Sequence, residues 1–169
     1  QQHLEELIRE IVATAKVFQG GGAEVYGESL SDKIVTAAND SLARLFPEFG
    51  EGDNRSWGVA LRRAREGNDE PLKILGWEGA TLEHTVVRRV RAEVGNGARG
   101  GDIRKALQSS PTGWPRDAID TALIALHRQG WISALLNGQP VAGGQLNQNK
   151  ISNTEFRPVQ NPPSASDKL

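Results

Sequence analysis

A chain of 169 residues, 37% hydrophobic and 5% aromatic, has room for one ordinary domain or two small ones. It contains no cysteine, which excludes disulfide bonds and thiolate zinc sites, and its three histidines belong to no paired-ligand motif, so we expect no metal and no cofactor. No apolar run approaches the ~20 residues of a membrane span and no signal-peptide pattern is present, so we expect a cytoplasmic protein without a membrane partner. Because the chain lacks methionine even at position 1, we expect Gln1 to be a processed end of an excised fragment.

The net charge of −1 is unevenly distributed along the chain. Residues 1–60 hold five Lys/Arg against ten Asp/Glu, whereas residues 82–160 hold ten against six. The basic excess of the second half is compatible with a nucleic-acid partner but is too small to indicate one by itself.

Residues 1–79 are predicted to form a helical subdomain. Apolar residues recur every three or four positions from Leu4 to Phe18, which predicts a helix that ends at the glycines 20–22. Ser29 or Ser31 is placed to cap a second helix, which ends before Pro47. A short helix follows Ser56 and ends at Gly67, and another helical piece follows Pro71.

Residues 80–159 are predicted to form a winged helix-turn-helix subdomain. Thr81 is placed to cap a helix that runs to Val94, and residues 101–108 form a short helix before a turn. A sharply bounded helix follows, with Pro115 in its first turn and Gly130 as its left-handed end. Asn137-Gly138 then indicates a hairpin, residues 150–159 a last strand, and residues 160–169 a disordered tail. The expected fold class is therefore mainly α with a small β wing.

The helix after Pro115 is the candidate functional element. On a helical wheel Ile119 and Leu123 mark its core side, and Asp117, Thr121, Ile124 and Arg128 lie opposite. As a DNA-reading helix it would present Arg116, Asp117, Asp120, Thr121 and Arg128 to the major groove. Two of these five side chains are carboxylates, which repel phosphates, so base reading is disfavoured.

Three roles for this region stay open. The helix is purely structural, or it docks a protein partner through the outward-facing set Asp117, Asp120 and Ile124. Alternatively, the region binds the phosphate backbone of duplex DNA, as a simple DNA-binding module or as a transcriptional regulator. The candidate phosphate contacts are Arg99, Arg104, Lys105, Arg116 and Arg128.

No catalytic site is expected. The glycine-rich run GNGARGG lacks the terminal Lys-Ser/Thr of a phosphate-binding loop. The carboxylate pairs Glu5-Glu6 and Asp69-Glu70 are sequence neighbours with no nucleophile beside them. These patterns predict a non-enzymatic module.

Four runs resemble the C-terminal region of large P-loop ATPases of the bacterial BREX and Pgl phage-defence systems, the proteins BrxC and PglY. The runs are GWPRDAIDTAL (113–123), GGDIRKAL (100–107), LARLFPEF (42–49) and WGVALRRAREG (57–67). The similarity extends from about residue 29 to 159, and GWPRDAID is its most specific part. It implies a parent that is an ATP-binding subunit of a multi-protein complex restricting phage DNA, with this fragment docking the rest of the parent ATPase or other subunits. The nucleotide site of the family does not carry over, because no Walker motif is present.

Overall fold

A computed structural model describes residues 2–142, 144–160 and 162. Of the predicted tail, residues 161 and 163–169 lie outside the described residues. The fold is mainly α with a small antiparallel β part, as the sequence predicts. Within the described part of the chain, no helix has the length and apolar character needed to cross a bilayer.

The chain divides into two compact units, Gln1–Pro47 and Glu48–Leu169. The division falls after Pro47 rather than at the predicted boundary after residue 79. The reason is that the helix starting at Trp57 packs inside the second unit, against the helix that starts at Arg116.

Residues 2–47 of the first unit form two helices and a small hairpin, in the order α1 (Gln2–Thr14), β1 (Val17–Phe18), β2 (Glu24–Val25) and α2 (Leu30–Leu45). The first helix ends at Thr14 rather than at the glycines 20–22, because Val17–Phe18 form β1 and the left-handed Gly21 and Gly22 turn the chain into the hairpin. At the start of α2 the Ser29 hydroxyl accepts the Asp32 N–H, and the Asp32 carboxylate accepts the Ser29 N–H. This capping box confirms the predicted Ser29 cap.

Among its described residues, the second unit has four α-helices and a four-stranded antiparallel sheet in the order β3-β6-β4-β5. The elements are α3 (Trp57–Glu66), α4 (Thr85–Val94), β3 (Ala98–Arg99), α5 (Gly100–Gln108), α6 (Arg116–Arg128), β4 (Ile132–Leu136), β5 (Gln139–Pro140) and β6 (Thr154–Pro158). Short 3-10 turns occupy Phe49–Glu51, Pro71–Leu75, Thr81–Glu83 and Ile151–Asn153. The β4–β5 hairpin turns at Asn137 and Gly138, both with positive φ, as the Asn-Gly pair predicts.

Helix α6 lies at the centre of the second unit. Its residues from Ala118 to Leu126 are all buried, and α3 and α4 pack against it. Ala60 and Ala64 of α3 are also buried, and their small side chains permit close helix contact. At the start of α5, a Cβ on Gly100 would collide with the carbonyl oxygen of Ile151, so this glycine allows the helix to touch the Ile151–Asn153 turn.

His84 caps α4 in place of the predicted Thr81. Its Nδ1 accepts the Val86 N–H at 3.2 Å, and its ring makes edge contacts with Trp57 and Trp77. An acceptor nitrogen requires a neutral ring. Burial lowers the pKa of His84 below its ordinary value of 6.5, which favours the same neutral form.

This lowered pKa predicts a pH-dependent stability. Below about pH 6.5 the unfolded chain takes up a proton at His84 that the folded chain does not, so the free energy of unfolding falls as the pH decreases from 7 to 5. In His84→Asn the side chain retains a capping oxygen but does not titrate, so this fall should be smaller. Urea unfolding at several pH values measures it, with His3→Asn, at an exposed histidine, as the control. An unchanged slope in His84→Asn would assign the pH dependence to other groups.

Candidate functional site

Asp120 is a completely buried carboxylate in the middle of α6. It accepts two bonds from Arg104, Nε to Oδ1 at 2.7 Å and Nη2 to Oδ2 at 2.8 Å. Gln148 Nε2 donates to Oδ2 at 2.8 Å, and Arg116 Nε lies 3.5 Å from the same oxygen. The buried negative charge is therefore matched by two cations and an amide.

Arg104 is only 5% exposed and extends this network beyond α6. Its Nη1 donates to Ser152 Oγ at 2.6 Å, and its Nη2 also donates to the Gln148 carbonyl at 3.0 Å. Gln148 Nε2 further donates to Asp117 Oδ1 at 3.0 Å. The network thus joins α5, α6 and the segment 148–152, which are distant in sequence.

The predicted docking face of α6 is wrong. Asp120 and Ile124 are fully buried, and Asp117 is half-buried and bonded to Gln148. The stripe Asp117, Thr121, Ile124 and Arg128 lies under α3: a Cβ on Gly58 would be 3.5 Å from the Asp117 carboxylate, and Arg128 Nη2 donates to the Arg65 carbonyl at 2.7 Å. Because α3 covers this stripe, α6 is not available as a docking surface or as a helix that reads base edges.

The five predicted phosphate contacts separate into two groups. Arg104 is buried in the ion pair, so the prediction that it contacts phosphate at the surface is wrong. Arg128 is half-buried, and its Nη2 donates to the Arg65 carbonyl of α3. Arg99, Lys105 and Arg116 are exposed. Lys105 and Arg116 line one shallow, open depression, together with Gly101, Arg104, Gln108, Ser109 and Ser152. We call this depression the α5–α6 basic surface; no carboxylate is among these lining residues.

A second candidate surface lies on the first unit, where apolar side chains face solvent. On α1, Leu4, Ile8 and Ile11 are 62%, 52% and 65% exposed. We define the N-terminal apolar faces as Leu4, Leu7, Ile8, Ile11 and Val12 of α1 and Ile34, Val35 and Leu42 of α2. Within residues 2–47, Val25 is the one buried hydrophobic side chain. The first unit therefore has almost no core of its own.

Several polar contacts join α2 to the hairpin of the first unit and to the residues before it. Lys33 Nζ donates at 2.9 Å to the carbonyl of Ala15, in the short loop between α1 and β1. Gln19 Nε2 donates to Asp40 at 3.0 Å and its Oε1 accepts from Arg44 at 2.8 Å. The sequence periodicity detected the apolar stripes, and the structure leaves them exposed to solvent.

In the ranges that the structure describes, no three metal-ligating side chains come together as a possible metal site.

The buried ion pair should control the stability of the second unit. Arg104→Ala removes the cation that donates two bonds to the buried Asp120 carboxylate, so it lowers the free energy of unfolding by about 3–5 kcal/mol. Lys105→Ala, at the exposed neighbouring position, should change it by less than about 0.5 kcal/mol. Urea unfolding measures both variants. Equal effects of the two substitutions would contradict a structural role for the pair.

Comparison with known proteins does not place this arrangement in a family. No family model, no curated protein and no solved structure matches the chain. The resemblance to BREX and Pgl ATPases therefore stays a prediction, and the residues described above carry the functional argument.

Proposed function

We propose that this chain is a non-catalytic assembly module of a phage-defence ATPase of the BREX/Pgl type, and that it docks another protein of the defence complex through its N-terminal apolar faces. The observation that carries the proposal is the exposure of eight large apolar side chains on two helices that share almost no buried core. An apolar stripe of this kind on a helix marks an interaction surface. Burying one such side chain contributes about 1.5–3 kcal/mol.

The acidic charge of the first unit indicates what kind of surface its partner presents. Residues 1–47 contain seven Asp/Glu against four Lys/Arg, and Glu5 and Glu10 flank the apolar stripe of α1. Opposite charges at the edge of an interface favour association and select the partner. We therefore assign the partner surface to an amphipathic helix with an apolar face and Lys/Arg flanks, on another subunit of the complex.

Residues 85–158 form, in this proposal, a winged helix that serves as the scaffold of the module. The element order α4, β3, α5, α6, β4, β5, β6 supports it, as does the position of β6 between β3 and β4. The helix that would read DNA in such a fold is α6, which α3 covers. This arrangement favours a scaffold over a sequence reader.

Site-specific photo-crosslinking tests the docking proposal. With p-benzoylphenylalanine at Ile11 in the full-length protein, expressed beside the rest of its defence system, we expect an adduct with one other subunit. Mass spectrometry should locate the crosslink in an amphipathic helix that carries Lys/Arg. Adding the substitution Ile8→Glu should reduce the yield of this adduct at least about tenfold, because the glutamate would place a charge in the apolar contact.

The matched control carries the same photo-reactive residue at Glu6, on the polar side of α1. We expect no adduct there. Adducts of equal yield at both positions, adducts between two copies of this chain alone, or no adduct at Ile11 would each contradict the proposal.

Phosphate binding by the α5–α6 basic surface is the second candidate function. Lys105 and Arg116 are exposed there, among hydroxyl and amide groups and without a lining carboxylate. Such a surface supports sequence-independent contact with the backbone of duplex DNA, because backbone phosphates accept bonds from these groups.

Gel shifts at several salt concentrations test this candidate. The double variant Lys105→Gln/Arg116→Gln should bind duplex DNA more weakly, and the slope of log K against log salt should fall by about 2 because two phosphate contacts are lost. The control, Arg55→Gln/Arg62→Gln, removes two exposed cations that do not line this surface. Binding that responds equally to both double variants, or no shift at micromolar protein in low salt, would exclude the surface.

A further inference from the structure

A cavity of about 290 Å³ lies in the second unit, between the Pro71–Leu75 turn, the segment 79–82 and the end of α6. Two half-buried indoles, Trp77 and Trp131, form part of its wall, beside the aliphatic Leu72 and Leu82. The polar lining consists of Asp69, Glu70, Lys73, Thr81 and Gln129. This volume is at the lower limit of about 300–1,000 Å³ for drug-sized ligands, so it suits a single side chain.

The two indole rings are held in place by contacts with neighbouring residues of the second unit. Trp77 Nε1 donates to the Ala80 carbonyl at 3.0 Å, and its ring meets the edge of His84 at 5.2 Å between centroids. A Cβ on Gly79 would lie 2.8 Å from the Trp77 ring, so the ring folds over a position that only glycine leaves clear. The Arg91 guanidinium lies 5.0 Å from the centre of the Trp131 ring. The rings are therefore oriented before any ligand arrives.

The charges that line the cavity leave one carboxylate uncompensated. Lys73 Nζ lies 2.6 Å from Glu70 Oε2, so these two charges neutralise each other. The Asp69 carboxylate has no hydrogen-bond or ion-pair partner among residues 2–142, 144–160 and 162, although its main-chain carbonyl accepts from Gln129 at 3.5 Å. The cavity thus combines aromatic walls with one unmatched negative charge.

We propose that this cavity binds an arginine side chain presented by a protein partner. A planar guanidinium stacks on indole rings and forms bidentate bonds to a carboxylate such as that of Asp69. A neutral apolar side chain would cover Asp69 without supplying a partner for its charge. A lysine ammonium, a compact and strongly hydrated charge, would make less use of two aromatic walls.

Two matched small probes test the proposal by NMR on the whole chain. N-acetyl-arginine amide carries the guanidinium, and N-acetyl-citrulline amide replaces it with a neutral group of nearly the same shape. We expect the arginine probe to shift the indole N–H signals of Trp77 and Trp131 saturably, while those of Trp57 and Trp114, which do not line the cavity, stay in place. The citrulline probe should bind at least about tenfold more weakly. Equal affinities, or no saturable shift, would overturn the proposal.

Substitution of the carboxylate provides the second readout. Asp69→Asn should lower the affinity for the arginine probe to that for citrulline, whereas Asp53→Asn, at an exposed carboxylate that does not line the cavity, should leave it unchanged. An unshifted Trp114 signal in the free variants shows that their fold is retained. An Asp69→Asn variant that keeps the preference for arginine would also overturn the proposal. These residues lie outside residues 1–47, so the outcome is independent of the crosslinking result.

Discussion

The ion pair between Arg104 and Asp120 is the constraint on which the second unit depends. A fully buried carboxylate is strongly unfavourable unless cations and hydrogen bonds replace its water, and here Arg104 and Gln148 donate to it directly. The same guanidinium holds Ser152 and the Gln148 carbonyl. Because replacing such a pair with apolar residues is often neutral for stability, its value lies in defining one arrangement of α5, α6 and the segment 148–152.

The order of helices is that expected of a helix-turn-helix, but the helix in the DNA-reading position, α6, is buried in this chain. In DNA-binding proteins the third helix is half in the core and half in the groove. Here α3 lies along the remaining side of α6, with Gly58 against Asp117 at one end and Gly67 against Arg128 at the other. The helix that would read a DNA sequence, α6, is therefore the central core helix of the second unit. The basic side chains left at the surface suit phosphate contacts, which carry no sequence information.

The sequence predicted local features well because their causes are local. The Ser29 cap, the left-handed Gly130 and the Asn137-Gly138 turn each follow from the conformational preferences of the residues themselves. Ile124 and Asp120 were placed outside because a helical wheel assumes that a helix packs on one side. The alanines at 118, 122 and 125, with Ile124 between them, were the available signal that α6 is apolar on most of its circumference. The pairing of Arg104 with Asp120 joins residues on different helices, and no periodicity reveals it.

Contacts between distant elements are also what the sequence does not reveal for the first unit. Its periodicity predicts the apolar stripe of α1 but does not identify a surface that packs on it. The polar contacts of Gln19 with α2 are exposed, and exposed polar pairs contribute little stability. A unit of fewer than 50 residues with one buried hydrophobic side chain lacks the apolar burial that offsets the loss of chain entropy. Under the proposed function, a partner that binds the N-terminal apolar faces would supply that burial, and it would stabilise the folded unit in proportion to the logarithm of its concentration over its Kd. Folding of the first unit would then be coupled to assembly.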